Sequence, residues 1–400
     1  MFHKYYDYLI VGAGIVGLTI AYELIKRDSS LSIAVVEKEN EVAEHASGRN
    51  SGILHAGFYY TPNSLKAKLT AKGNRLMKEF CKNHGILIKE TQKVILSKNE
   101  EELKTLYELK RRAEKNGINV EIIDENELQK IEPNAKTFAK ALYSPTTASV
   151  NPKIVCLKLK EILKSKGIDF YFNTNFFKTI FKYKYLINAA GAYADKIAKM
   201  FGKGKDFVLI PFKGIYLKYI PEDEKSSIKT NIYPVPNLAN PFLGIHFTIT
   251  SEGIIKIGPT ATPAFWRENY KGFKNFNLKE FLETIFYDTK LFILNSFNFR
   301  KLAFEEIKYY KKVKLIKKAK ELVKNLKGKF IPLPVGIRAQ LLNIKTNQLV
   351  QDFVVEHGKN SIHILNAVSP AFTSSFAFAE FIVDKIKKNK GVKNSSFFVK

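Results

Sequence analysis

Apolar positions along the chain change their spacing from element to element. Residues 6–11, apolar throughout from Tyr8, read as a strand, residues 12–17 carry three glycines, residues up to Arg27 follow helical spacing, and 32–37 return to a strand. This order predicts a βαβ unit. Helical spacing is predicted again at 64–83 and 100–116, with a strand over 86–96 between them. Asp124 and Glu127 have capping-box spacing and start a short helix that Pro133 ends. Asn151 before Pro152 opens another helix, which the pattern carries to Lys166. From 207 to 257 the pattern becomes short, antiparallel-looking strands, with 250–253 as a turn between 244–249 and 254–258. Residues 278–326 read as helical with lysines on the solvated faces. A hairpin is predicted for 349–356 and 361–366, and a last helix follows Pro370.

At 400 residues and 45% hydrophobic content the chain can bury a large core, and its length favours roughly two to three structural domains. Cys81 and Cys156 are far apart, with no second cysteine or histidine cluster beside them. No disulfide framework or zinc site is expected, and a reducing cytosol fits. A formal charge of +27 suits nucleic acid, anionic lipid or an acidic substrate alike. The lysines are spread among many Ile, Asn, Phe and Tyr, as a biased genome composition also produces, and they form no recognisable RNA-binding motif, so no nucleic-acid partner is expected. The longest apolar run, 8–25, is bracketed by Asp7 and Glu23, interrupted by glycines, and followed by Lys26 and Arg27 with no small-residue cleavage site. These features argue against a signal peptide or a membrane span. A cytoplasmic protein is expected, peripheral at most to the inner face of the cell membrane, with the basic segment 385–400 touching anionic lipid.

Gly12-Ala13-Gly14-Ile15-Val16-Gly17 fits GxGxxG after a strand and at the opening of a helix. Glycines there permit a tight turn and close approach of backbone N–H groups to a pyrophosphate, and the helix N-terminus favours the anion. Glu37, at the end of the second strand, has the spacing of a carboxylate that accepts from ribose hydroxyls. The motif alone does not separate FAD from NAD.

Downstream, Ser47-Gly48-Arg49-Asn50-Ser51-Gly52 leads into Ile53-Leu54-His55-Ala56-Gly57-Phe58-Tyr59-Tyr60. Here the chain resembles the FAD-dependent oxidoreductases of the D-amino-acid oxidase type, and within them the L-2-hydroxyglutarate dehydrogenases and oxidases. The resemblance rests on SGRNSGILHAGFYYTPNSLKAKL from Ser47, the block at 210–214, IYPVPN at 232–237, PFLGIHFT at 241–248, an NAAG-like strand end at 188–191, GIRAQ at 336–340 and NAVSPAFTSS at 366–375, in that order. It implies FAD as cofactor and an α/β fold in which a Rossmann-like FAD-binding domain of the glutathione-reductase type is interleaved with an α+β, antiparallel-sheet substrate domain. The implied segments are 1–85, 145–205 and 330–390 for FAD binding, 86–144 and 206–329 for substrate, and a basic tail at 391–400. Cofactor contacts are implied for Gly12, Ala13, Gly14, Ile15, Val16, Gly17, Glu37, Lys38, Ser47, Arg49, Asn50, Ser51, Gly52, Phe176, Ala190, Gly191, Gly336, Pro370, Ala371, Thr373 and Ser374. The implied reaction is oxidation of L-2-hydroxyglutarate to 2-oxoglutarate, with electrons passed to quinone or oxygen.

Oxidising a 2-hydroxy acid requires removal of the hydroxyl proton and transfer of a hydride from the substrate α carbon to flavin N5. The site therefore needs a base, carboxylate clamps and a held ring. His55 and His246 are the candidate bases. Arg338 is the candidate carboxylate clamp, because guanidinium offers a planar bidentate match; pairing with Asp352 or Glu356 is its structural alternative. Tyr60, Lys66 and Gln340 are candidates for a second carboxylate. Pro370, with Thr373 and Ser374 in the following turn, directs free N–H groups toward an anion. Two departures from the family stand out. A longer hairpin is expected where only 173–182 remains, near the position carried over to Phe176, and Thr91-Gln92 replaces a small Cys-Gly pair before Lys93. Competing readings are an amine or amino-acid oxidase or a glycerol-3-phosphate dehydrogenase on the same fold, and a basic flavin-containing protein that binds RNA or a membrane.

Overall fold

A computed structural model describes residues 4–238 and 242–391. Strands Tyr5–Val11, Ile33–Val36, Lys182–Asn188 and Ser361–Asn366 are buried on at least four consecutive positions, the pattern of a parallel sheet covered on both faces. They form the middle of a six-stranded sheet in the order Val354–His357, Ser361–Asn366, Lys182–Asn188, Tyr5–Val11, Ile33–Val36, Asp169–Tyr171. All neighbours run parallel except the first pair, a hairpin.

In chain order the helices are α1 (Ile15–Arg27), α2 (Leu65–Asn83), α3 (Glu100–Lys115), α4 (Glu125–Ile131), α5 (Pro152–Ser165), α6 (Ala194–Met200), α7 (Leu278–Leu294), α8 (Phe299–Ile307), α9 (Lys312–Lys320) and α10 (Ala371–Gly391). Tyr8, Ile10, Ile33 and Val35 turn one way from the sheet, into a core with Leu18 of α1, Met77 and Phe80 of α2, Leu159 of α5 and Ile382 of α10. Leu9, Val11, Ala34 and Val36 turn the other way, toward Leu186 and Ile197 of α6. Cys81 and Cys156 are buried, unbridged, in the first core, and burial raises both thiols to about 12.

An eight-stranded sheet holds Gly328–Pro332, Leu217–Pro221, Ile255–Gly258, His246–Ile249, Asn231–Pro234, Lys93–Leu96, Lys140–Ser144 and Glu121–Asp124 in that order. Its neighbours are antiparallel except Asn231–Pro234 against Lys93–Leu96, which is parallel. Between the two sheets, Phe207–Gly214 pairs along its full length with Gly336–Asn343 in a four-stranded antiparallel sheet. That strand is buried at every position because both faces are covered. Val208, Ile210 and Phe212 pack on Leu291 of α7 and Phe299 of α8, while Phe207 and Leu209 pack on Ala194 and Ala198 of α6.

Capping residues set the helix starts. Ser64, Asn99, Asp124, Asn151 and Asn277 each accept a backbone N–H in the first turn of the following helix, and Asp124 with Glu127 completes a capping box. Three stretches differ from expectation. The strand over 86–96 is split into Ile88–Lys89 and Lys93–Leu96, because Gln92 takes a left-handed conformation (φ 51°) that strand pairing excludes. The helical stretch 278–326 is three helices ending at Lys320, broken where Asn295, Phe297 and Asn298 take positive φ. The hairpin begins at Val354 rather than 349: Leu349 pairs with Leu342, and Asp352 turns aside to accept from the N–H groups of Leu65 and Lys66. Consequently the segment from 330 enters the six-stranded sheet only at Val354. Of the tail at 391–400, residues 392–400 lie outside the described residues.

Candidate active site

A cavity of about 630 Å³ runs from the glycine turn after the first strand to the strand Gly336–Asn343 and the start of α10. The first strand ends where the NAAG-like strand also ends, and the two approach so closely that a Cβ on Gly12 (φ 107°) would stand 2.4 Å from the Ala189 carbonyl oxygen. A Cβ on Gly17 would meet the Gly12 carbonyl oxygen at 2.1 Å, which seats α1 against the turn. The N-cap of α1 is Gly14, which has no side chain of its own to cap the helix. The amide of Ile15 donates to Ser47 Oγ at 2.9 Å and that of Ala13 to Glu37 Oε2 at 2.8 Å. A helix N-terminus that faces a cavity and starts from a glycine, beside a carboxylate at the next strand end, fits a dinucleotide pyrophosphate and ribose.

Most expected cofactor contacts lie on the cavity wall: Gly12, Gly14, Ile15, Val16, Glu37, Lys38, Ser47, Arg49, Asn50, Ser51, Phe176, Ala190, Gly191, Gly336, Pro370, Ala371 and Thr373. Ala13, Gly17, Gly52 and Ser374 do not, and shape the wall from behind. The shortened segment folds back on the second strand end: Thr174 N–H donates to the Glu37 carbonyl and Asn173 N–H to that of Glu39, which brings Phe176 to the wall beside Lys38. Asn50 is a turn builder, its amide donating to the Ala46 and Ser47 carbonyls and its Oδ1 accepting from Gly52 N–H. Lys38 is held by Glu39 and Glu268, each at 2.5 Å. Thr373 accepts from the His55 N–H at 3.2 Å and donates to the Ile53 carbonyl at 3.1 Å, so the start of α10 positions the histidine.

His55 lies on the wall, and its Nδ1 is 3.4 Å from the Lys93 Nζ. Burial, then Lys93, then His246 hold its pKa well below the usual histidine value. His246 lies off the wall: it stacks on Tyr233 (3.8 Å between centroids, 16° between planes), and its Nδ1 donates to the Gly244 carbonyl at 2.7 Å. Because a carbonyl only accepts, the His246 proton is fixed on Nδ1. Burial takes its pKa to about 3, with Lys93 and Arg338 adding to the shift against the bond to Gly244. Two neutral imidazoles therefore sit together, and only His55 reaches the cavity.

Arg338 is on the wall, beside Tyr216 and with its guanidinium carbon 5.6 Å from the centre of the Phe242 ring. Among the described residues it makes no ion pair. Asp352 serves the start of α2 and Glu356 accepts from Gly204 N–H, so neither provides the structural pairing considered above. Lys66 also reaches the wall; burial lowers it to about 8 against the pull of Asp352. Gln340 touches the wall while its amide donates to the Val350 carbonyl at 2.6 Å. Tyr60 is not on the wall and carries Lys66 Nζ over its ring at 5.8 Å.

The sequence alone did not single out Lys93, Tyr216, Tyr233 or Glu268. Only Lys93 carried a signal: a lysine opening a strand that is otherwise Val-Ile-Leu. The others are assembled by tertiary contacts between distant segments.

Room for a pyrophosphate at a glycine-started helix, with a histidine that shares the cavity with an arginine making no ion pair among the described residues, is the architecture of dinucleotide-dependent oxidoreductases. The chain belongs to the FAD dependent oxidoreductase family, whose model matches residues 7–385. It is 37% identical over 416 residues to a protein of Caenorhabditis briggsae named L-2-hydroxyglutarate dehydrogenase, mitochondrial, covering 95% of this chain and 93% of the relative. It is 34% identical to the L-2-hydroxyglutarate dehydrogenase of Indibacter alkaliphilus, covering 93% and 96%. In fold it is similar to the FAD-bound L-alpha-glycerophosphate oxidase of Mycoplasma pneumoniae, at a TM-score of 0.73 and 22% identity over 96% of this chain and 95% of the other. No helix among the described residues is long and apolar enough to cross a membrane.

Proposed function

We propose that this chain oxidises L-2-hydroxyglutarate to 2-oxoglutarate, with His55 as the base and Arg338 as the clamp for the substrate's 1-carboxylate. The observation that carries the reading is that His55, Arg338 and Lys66 line one cavity continuous with the glycine turn. FAD, when bound, supplies the two-electron acceptor for the substrate's Cα–H bond. His55 is neutral at working pH and presents a ring nitrogen that can take the hydroxyl proton. Arg338 brings a full positive charge and two parallel donors to a planar carboxylate. Lys66 supplies a second cation on the same wall, which suits a dicarboxylate and distinguishes it from lactate. Gly12, Gly14, the start of α1 and Glu37 hold the dinucleotide, with Phe176 beside its far end, and 1–85, 145–205 and 330–390 form the FAD-binding part on this reading.

Electrons pass on to quinone or oxygen. Contact with an anionic membrane is supported by α7 and α8, where Leu278, Leu282, Phe286 and Ile293 form one exposed stripe continued by Phe304 and Ile307. Between residues 278 and 320 there are eleven Lys or Arg against five Asp or Glu, the complement of an anionic lipid surface. Co-sedimentation with anionic but not neutral vesicles is expected, and equal recovery with both removes the membrane from the reading. The substrate is tested by anaerobic absorbance of the FAD-loaded protein. L-2-hydroxyglutarate should bleach the flavin band, with the D-enantiomer and L-lactate ineffective; a band that stays oxidised with the L-enantiomer refutes the assignment.

A further inference from the structure

Behind His55 the fold buries a lysine. Lys93 is fully buried in the eight-stranded sheet and, among the described residues, makes no ion pair. Its Nζ is 4.3 Å from the centre of the Tyr233 ring, 5.3 Å from that of Tyr59 and 5.8 Å from that of Phe58. Among the described residues, its one close polar neighbour on a side chain is His55 Nδ1, at 3.4 Å. It does not reach the cavity wall, whereas His55 does. A buried ammonium without a counter-charge is costly, and ring faces return only part of that cost. Burial accordingly lowers Lys93 to about 7.

We propose that Lys93 and His55 act as one base, in which the neutral amine of Lys93 accepts the Nδ1 proton of His55 and leaves the His55 Nε2 lone pair for the substrate hydroxyl. This rests on the reading of His55 as the base. Nε2 has no hydrogen-bond partner among the described residues, and the Thr373 and Asn74 contacts to the His55 backbone hold the ring's position. As substrate is deprotonated, its O–H bond breaks and Nε2–H forms, while Nδ1–H breaks and Nζ–H forms. The imidazole ends neutral, and the proton gained rests on an ammonium among three aromatic faces. The other titratable groups around the pair are His246, Arg338 and the phenols of Tyr59, Tyr60, Tyr216 and Tyr233. His246 is neutral at the pH concerned and burial raises all four phenols, so neither the imidazole nor the phenols change charge near pH 7.

The sign follows from the donor count. Below about pH 7 a protonated Lys93 donates to Nδ1, which places the imidazole hydrogen on Nε2 and removes the acceptor. Activity should therefore fall on the acid side through the pKa of Lys93, and that of His55 is not the one seen. Lys93 is a positioning residue, and charge-conserving and charge-removing variants separate its role from a structural one. In the FAD-loaded protein, Lys93→Met should move the acid limb of kcat/KM down by at least about one pH unit. Lys93→Arg, a permanent donor to Nδ1, should lower kcat about 100-fold or more at every pH, the scale of lost general-base catalysis, with KM within about threefold. An Arg variant milder than the Met variant, with the main change in KM, would instead mean that Lys93 binds a substrate carboxylate, and overturns the proposal. Nitrogen-15 NMR supplies a readout apart from turnover: the His55 Nδ1 resonance should change from protonated to unprotonated as pH falls through 7 in the parent and stay fixed in Lys93→Met. A Met variant that keeps the parental acid limb refutes the pairing alone, whereas full activity in His55→Asn refutes the base assignment beneath it.

Discussion

Gly73 lies in the interior of α2, far from any loop, where two effects of adding one methyl group oppose each other. Helix propensity favours alanine over glycine by about 1 kcal/mol. Packing opposes it, because a Cβ on Gly73 would stand 2.5 Å from Ser374 Cα and 2.5 Å from the Thr373 carbonyl oxygen, both in the first turns of α10. Real Cβ contacts do not occur below about 3 Å, so the two helices must separate by roughly half an ångström. Backbone atoms of a buried helix start cannot rotate away, which places the overpacking cost near the upper end of the usual range, about 3 kcal/mol. Gly73→Ala should therefore lose about 2 kcal/mol net, and the melting temperature of the FAD-loaded protein should fall by a few degrees. The displaced turn carries Thr373, which holds both His55 and the Ile53 carbonyl. FAD affinity should then fall about threefold or more, roughly 0.7 kcal/mol. Differential scanning fluorimetry with and without added FAD reads both effects. A melting temperature equal to or above that of the parent would show that propensity wins and that the α2–α10 approach is not a constraint.

Other substitutions test separate parts of the structure. Arg338→Met should reduce kcat/KM for L-2-hydroxyglutarate by roughly 30-fold or more, the equivalent of about 2 kcal/mol or above for a lost buried charge pair, while bound FAD is unchanged; a loss under threefold in steady-state assays counts against the clamp. Asp195 and Arg267 form a buried pair, with Nη2 to Oδ2 at 2.8 Å, that ties α6 to the segment before α7. Asp195→Asn leaves the buried guanidinium with Glu283, at 3.2 Å, as its remaining carboxylate partner, and should cost about 1–3 kcal/mol; chemical denaturation that shows no loss refutes that estimate. Asp288 on α7 has an Oδ1 without a partner among the described residues, and burial raises its pKa to about 7. Its charged form is the disfavoured one, so its contribution to stability declines as pH rises from about 4 toward 7 and levels off above. Asp288→Asn should gain on the parent across that window, and a pH-independent difference contradicts the shift.

Local rules were enough to place the glycine turn, α1, the capped starts of α2, α3, α4 and α5, and the end of the second strand, because each depends on spacing and capping within a few residues. The alternation of strand, glycine turn, helix and strand announced a βαβ unit, and the resemblance in the blocks from Ser47 to Ser375 pointed to FAD and to a hydroxy-acid oxidation. The split at Gln92 was harder to read, since a non-glycine residue at positive φ is held there by its surroundings: the Gln92 N–H donates to the Thr147 carbonyl, and Asn231 donates to its carbonyl.

What the sequence determined by itself was therefore the list of elements and the chemistry they carry; which elements meet was decided by the tertiary structure. His55 and His246 are both candidate bases in the sequence, His246 on a strand where a core histidine is the ordinary explanation, and packing puts the first on the cavity wall and fixes the second against Tyr233 and Gly244. Lys93 reads as an ordinary strand lysine until the sheet buries it beside His55, and Gly73 reads as a weak helix residue until α10 crosses it. Spacing encodes periodicity along one element, whereas burial, desolvation and the loss of a counter-ion depend on segments brought together from up to some three hundred residues away, such as Thr373 on His55, and no local pattern carries that information.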